Sequence, residues 1–386
     1  MPRFAVSTLA LLAISALGYV SILGLTERNG WRELMKKGAE QKPILLATGE
    51  VLRTEYTGVE GVDGMLRILV RFFYSVVVAE RPELSVFSVY FIGQIFSLHA
   101  ILVLEGLRAG NKWTAVYLPA FWGMAYQMVP FGITFPIYCA ASLLLSPLSK
   151  TSKSTPARTK LEALSIDPAR LSTMTTAMLL GLAVPSVLPC LTSPLISSDR
   201  RQIYIAIWQI FPICVSMSHH VLTLFVRILG LAPESSSQSA AKKVRCARTT
   251  YHQIITLSAL AHLGTIAFIA FPGFRELLVG QSAEPITFDN VFHAMSVVNP
   301  HQVATIAEGT QTLLQYDMYF GCAAALAWVM SLSYAGAGSS VSAAVGAAVK
   351  LALRSLLVGP GGATLWAFWD RDEEALAGVE GPKKRA

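Results

Sequence analysis

Residues 85–105 read SVFSVYFIGQIFSLHAILVLE, a run without a single charge until Glu105 closes it. A helix crosses the hydrocarbon of a bilayer with about 20 mostly apolar residues. The stretch therefore predicts a membrane-spanning helix with a carboxylate at its end. Working outward, comparable segments lie near 4–24, 66–79, 113–146, 172–192, 203–229, 251–273, 316–334 and 341–358. Composition agrees, because 386 residues that are 53% hydrophobic and 14% charged do not make an ordinary soluble domain. The predicted fold class is all-α, a polytopic membrane helix bundle of about eight to nine transmembrane helices with a pocket between helices near the luminal face.

Three segments are irregular. The run 66–79 is short and carries Arg67 and Arg71, so a tilted span, a re-entrant element and an interfacial helix all fit it. Segment 113–146 contains Pro119, Pro130 and Pro136, which predicts a kinked helix. Segment 4–24 follows Arg3, and its small Ala16 and Gly18 would also suit a cleaved secretory signal. The chain is read as one integral-membrane domain over 1–386, with a first helix at 1–24, an interfacial linker at 25–62, a bundle core at 63–370 and a polar tail at 371–386.

The net charge of +7 could suggest nucleic acid, but two loops carry it. Lys150, Lys153, Arg158, Lys160 and Arg170 fall in 148–171, and Lys242, Lys243, Arg245 and Arg248 fall in 230–250. Such clusters between spans mark cytosolic loops, which leaves the acidic 274–315 loop (Glu276, Glu284, Asp289, Glu308) on the other side. The cysteines, Cys139, Cys190, Cys214, Cys246 and Cys322, are scattered and odd in number, so they suggest neither a disulfide framework nor a metal site. No histidine pair has HExxH spacing, GPGG at Gly359 to Gly362 lacks the lysine of a P-loop, and no DDxxD-like run could hold magnesium. No metal or cofactor is expected.

Intramembrane acids are costly and mark candidate sites. Threading backwards from a cytosolic 148–171 loop puts the 106–112 turn on the luminal side, so that Asp63, Glu105 and Asp317 share one level with Gln315, and Gln209 lies about two turns inside it. Helical spacing adds stripes that end in polar groups, Gln127 to Tyr138 and Gln209 to His220 among them. The expectation is a single polar pocket. Plainer explanations stand beside it. The amides could bond between helices, Asp63 could cap a helix and pair with Arg67, and Glu105 could pair with Arg108. Asp317 has no basic residue three or four positions away and could be a helix N-terminal acid.

A resemblance joins these residues. Gly61-Val62-Asp63, Leu69-Val70-Arg71-Phe72-Phe73, Leu104-Glu105-Gly106-Leu107-Arg108-Ala109-Gly110-Asn111, Gly123 with Gln127, Pro136-Ile137-Tyr138, Gln315-Tyr316-Asp317 with Gly321, and Gly359-Pro360-Gly361 follow one another in order. Across roughly 58–370 this pattern resembles the fungal integral-membrane terpene cyclases of meroterpenoid biosynthesis, the ascofuranone and macrophorin cyclase-like family. The resemblance implies an isomerase or lyase-type reaction without diphosphate ionisation. The terminal epoxide or olefin of a prenylated (farnesyl) aromatic or polyketide compound is protonated, and the chain then cyclises.

Such chemistry needs a protonated acid in a low-dielectric site and aromatic rings to stabilise cations. Asp63 and Glu105 are the expected donors, with Asp317 as a second acid. Arg108 and Asn111 are expected to fix the polar head, and Gln127, Tyr138, Gln209, Gln315, Trp208 and Tyr316 to line the pocket. A proton-coupled exporter of a hydrophobic metabolite is the alternative, against which stand the absence of an internal repeat and the clustering of the acids at one face. The ending Lys383-Lys384-Arg385-Ala386 resembles a dilysine retrieval signal for the endoplasmic reticulum, although the span count above puts the tail in the lumen, where that signal is not read.

Overall fold

Apolar runs of membrane length leave the backbone one way to satisfy its own polar groups, and that is helix. The computed structural model of the chain describes residues 4–40, 43–151, 155–232, 239–279, 285–336 and 341–380. Lys153, Glu284 and Lys383 to Ala386 lie outside these. Among the described residues there is no strand, only one isolated bridge between Leu45 and Val51. Seven segments are long and apolar enough to cross a membrane.

Beside two short helices at Pro272–Val279 and Phe288–Phe292, the helices up to residue 336 are α1 (Ala5–Arg28), α2 (Trp31–Glu40), α3 (Glu60–Val77), α4 (Pro82–Leu107), α5 (Pro119–Met128), α6 (Phe131–Leu145), α7 (Ala157–Leu164), α8 (Pro168–Cys190), α9 (Ser198–Trp208), α10 (Phe211–Ile228), α11 (Ala240–Ala270) and α12 (Ile306–Gly336). Residues 341–380 follow as one apolar run, interrupted where Gly359 takes φ 73°. We treat its halves, 341–358 and 360–380, as α13 and α14. Pro360 opens α14, a position that needs no amide hydrogen.

Two of these elements depart from the sequence reading, and both turn back inside the bundle. Lys350 and Arg354 reach Asp370 at 2.7 and 2.6 Å. A straight helix would hold residues 350 and 370 about 30 Å apart, so α13 and α14 form a hairpin. Its tip rests on the middle of α4, where the Gly361 amide donates to Gln94 Oε1 at 2.9 Å, and on α11, where Ser258 donates to the Val358 carbonyl at 2.9 Å. Residues 371–380, read as tail, continue α14, and Asp372 is buried.

The second hairpin is α5–α6. Pro130 breaks the run, Val129 is extended, and α6 packs back along α5. Asn111 before α5 and Ser146 after α6 are hydrogen-bonded at 2.6 Å, so both ends lie together. The kinked span expected at 113–146 is therefore a re-entrant pair. One wrongly counted crossing inverts the side assigned to everything before it.

Six helices remain that run end to end: α1, α4, α8, α10, α11 and α12. One end of the bundle collects the 148–171 and 240–250 segments, Arg108 and the end of α14, and we call it the basic end. The other carries α2, α3, α9 and the 285–305 segment. Helix α1 belongs to the bundle, since Ser15 donates to the Ile133 carbonyl at 2.7 Å and a Cβ on Gly18 would stand 2.8 Å from the Gly132 oxygen. Helix α3 is not among the membrane-length helices and packs against α9 at the end opposite the basic loops.

Candidate functional site

A cavity of about 570 Å³ opens among α1, α2, α3, α4, the α5–α6 turn, α8, α9 and α12, at the end away from the basic loops. One wall is a run of rings in edge contact, with Trp31 to Phe72 at 5.8 Å, Phe72 to Phe73 at 4.6 Å and Phe73 to Trp208 at 4.9 Å between centroids. Phe131 supplies the facing side, 5.4 Å from the ring of Tyr126 and 6.1 Å from that of Phe91. Among the lining residues Asp317 is the one acid.

The position of Asp317 follows from two close-packed backbones, those of α6 and α12. Gly132 lies against α12 so tightly that an added Cβ would stand 2.7 Å from the Asp317 carbonyl oxygen. The Gly132 amide donates to Asp317 Oδ1 at 2.7 Å. The carboxyl thus sits at the N-terminus of α6, where unsatisfied amides and the helix dipole attract negative charge. Among the described residues no basic side chain is paired with it.

Glu105 has different surroundings. Arg371 grips both its oxygens, at 2.6 and 3.1 Å, and Arg108 Nε donates at 3.1 Å. Arg108 also donates to the Leu164 carbonyl at 2.6 Å, to the Tyr251 hydroxyl at 2.7 Å and to Asp372 at 2.8 Å. Asn111 donates to the Glu105 carbonyl at 2.8 Å. Two acids and two arginines cancel in charge and tie α4 to α7, α11 and α14.

The two acids do not share a level. Helix α6 connects Gly132, beside Asp317, to Ser146, beside Asn111, and fourteen residues of helix rise about 21 Å. Glu105 lies at the basic end and Asp317 toward the opposite one. The expected common layer of Asp63, Glu105 and Asp317 is corrected here, and the cause is the α5–α6 hairpin.

Asp63 occupies a third setting. Its Oδ1 accepts from the Thr57 amide and hydroxyl, both at 2.8 Å, and from the Tyr56 amide at 3.2 Å, and its Oδ2 accepts from the Gly58 amide at 3.0 Å. Burial pushes its carboxyl up, but these donors outweigh that and hold it below the ordinary value. Arg67 pairs with Glu60 instead.

Of the other expected residues, Gln127 and Trp208 line the cavity with Asp317, and Trp208 Nε1 donates to Ser186 at 2.9 Å. Tyr138 is buried between Trp122 at 5.3 Å and Trp328 at 5.7 Å, and Gln209 donates to the Ile205 carbonyl at 3.0 Å. Gln315 and Tyr316 hold the 291–295 segment through the Val291 and Met295 carbonyls, at 2.9 and 2.7 Å. Sequence reasoning missed Arg371, Asp372 and Tyr251. The signal for the first two was Trp369-Asp370-Arg371-Asp372-Glu373-Glu374, a dense charge run directly after an apolar half-helix.

The CtvD domain family matches residues 6–376. Terpene cyclase ctvD of Aspergillus terreus is 28% identical over 373 residues, 96% of this chain and 99% of its own. Terpene cyclase ascI of Acremonium egyptiacum is 25% identical over 401 aligned positions, covering 100% of this chain and 97% of its own. Terpene cyclase janA of Penicillium janthinellum is 26% identical over 327 residues, 84% of this chain and 82% of its own. No solved structure is a significant match.

Proposed function

This chain belongs to the CtvD family and is a multi-pass membrane terpene cyclase like its relatives; we propose that it protonates the terminal epoxide or olefin of a prenylated aromatic or polyketide compound, with Asp317 as the donor. The observation that carries this is an acid that, among the described residues, is paired with no base and is the one acid lining an aromatic cavity. In its neutral form Asp317 gives its proton to the epoxide oxygen or the olefin carbon, and the resulting carboxylate is received by the amide end of α6. The neighbouring C=C then attacks, one C–C bond forms per ring, and the positive charge moves along the chain.

The ring faces of Phe73, Phe131 and Trp208 stabilise that moving charge through their quadrupoles. Gln127 offers an amide to a polar head. An apolar lining keeps water from trapping the cation early, and about 570 Å³ is of the size that holds a ligand of this class. Glu105, Arg108 and Asn111 fix the frame rather than the substrate, and Asp63 holds the 56–58 loop.

The positive-inside rule orients the basic end to the cytosol. That puts the cavity in the luminal half and the end of α14 on the cytosolic side, in a membrane proposed to be that of the endoplasmic reticulum. The test is conversion of an epoxyfarnesyl phenol by microsomes. Asp317→Asn should abolish product while the protein still accumulates, and near wild-type turnover in that variant would remove Asp317 from the mechanism.

A further inference from the structure

A cation cascade that starts with a donated proton must also end, and the cavity carries a second proton-handling group. Tyr126 lines the cavity beside Phe131, and its hydroxyl lies 2.7 Å from His99 Nδ1. His99 is 1% exposed, and its Nε2 has no hydrogen-bond partner among the described residues. The pair is braced by close packing, since a Cβ on Gly123 would meet Pro212 at 2.3 Å and His99 Cε1 at 3.2 Å, and Phe211 lies 5.4 Å from the His99 ring. A buried imidazole that spends its one directed contact on the hydroxyl of a cavity-lining tyrosine, and is paired with no charged group among the described residues, is placed to take a proton through that phenol.

We propose that Tyr126 with His99 behind it is the terminal base of the cyclisation, and that the reaction ends by loss of a carbon-bound hydrogen. The inference rests on the cyclase reading above. In the last step a C–H bond beside the final cation breaks and its electron pair becomes the ring C=C. The proton goes to Tyr126 Oη as the phenol's own proton passes to His99 Nδ1, which leaves an imidazolium and a neutral tyrosine. The Asp317 carboxylate holds the matching negative charge, and proton exchange with solvent after product release resets both groups, so protons and electrons balance over the cycle.

The geometry also divides the labour in space. Asp317 caps the helix that Phe131 begins, and Tyr126 meets Phe131 on its ring, so acid and base flank one aromatic surface over which the charge travels. Tyr126 is the catalytic residue here and His99 a positioning and proton-accepting residue acting through it.

The experiment is product analysis from microsomes carrying the full chain with an epoxyfarnesyl phenol. The wild type is expected to give mainly one ring olefin. Tyr126→Phe keeps the packing and removes the acceptor, and should lower the ratio of that olefin to the sum of its double-bond isomers and water-quenched alcohols at least tenfold, whatever the rate. His99→Asn should move the ratio in the same direction by a smaller factor. A merely structural role would lower total turnover and leave the ratio alone, so an unchanged ratio in both variants overturns the proposal. A wild-type product closed by an internal hydroxyl, with no carbon-bound hydrogen lost, also overturns it. If neither variant accumulates, 3-fluorotyrosine at position 126 gives the same reading, with a shifted ratio supporting the dyad and an unshifted one refuting it. Absence of any cyclised product from the wild type would instead refute the cyclase reading itself.

Discussion

Asp317 and Glu105 are both acids buried on membrane-length helices, yet their neighbours assign them opposite work. Glu105 meets two arginines whose charge is answered in turn by Asp372, so every member of that group is neutralised and hydrogen-bonded. Asp317 has a backbone amide for company and an aromatic cavity in front of it. A desolvated ion is tolerable when compensated in full, and such a group serves to hold helices in register. On the cyclase reading proposed above, the difference between a strut and a reagent is written in the partners rather than in the acid.

The widest separation between the two regions should come from Asp317→Asn. Removing a general acid costs on the order of 10²–10⁴ in rate, and the variant should lose turnover on that scale while its detergent-extracted thermal melting stays near wild type; a melting loss as large as the activity loss would erase the contrast. Arg371→Met should do the reverse, because breaking a buried ion pair costs about 3–5 kcal/mol. Low accumulation and a lowered melting temperature, with turnover per folded molecule largely preserved, are the expected results.

Gly132→Ala sharpens the comparison from the backbone side. Its new Cβ must push against the Asp317 carbonyl and Phe320, so α6 shifts off the carboxyl and turnover should fall by roughly tenfold, the low end of what acid catalysis supplies, which a kcat measurement checks. The smallest effect belongs to Asp63→Ala, expected to leave product formation within about threefold, well under a general acid's contribution, and to expose the 54–58 loop to protease. The sign with pH follows from the lowered carboxyl of Asp63. Its hold on the loop is complete above the ordinary aspartate value and is lost as pH falls through the lower folded-state value. Proteolysis that quickened on raising the pH instead would contradict this.

Much of this fold was legible. Apolar length identified the helical runs, though not the expected eight to nine crossings, since two of those runs turn back; Asp317, Gln127 and Trp208 were singled out and do meet at the cavity. The shared depth of the three acids was not legible, because hydropathy reports how long an apolar run is and not whether it crosses or turns. Pro130 was visible, but a proline reads as a kink as readily as a reversal, and only the Asn111 to Ser146 contact distinguishes them. The same blindness hid Gly359, where a single residue in the left-handed region folds 341–380 on itself. Arg371 and Asp372 looked like a solvated tail for this reason. Their role depends on a chain reversal that charge patterning does not encode.

The hairpin of α13 and α14 has a consequence for how the molecule is made. Its tip brings irregular backbone into the middle of the bundle, where lipid can satisfy no hydrogen bond. The Gln94, Ser258 and His262 side chains supply what lipid cannot, at the Gly361 amide and the Val358 and Leu356 carbonyls. These groups sit on helices synthesised earlier, so the hairpin, which leaves the ribosome after them, can settle only into a slot that α4 and α11 have already built. Biogenesis therefore has a fixed order, and a chain with a damaged slot should be left with a stranded hairpin for quality control to find.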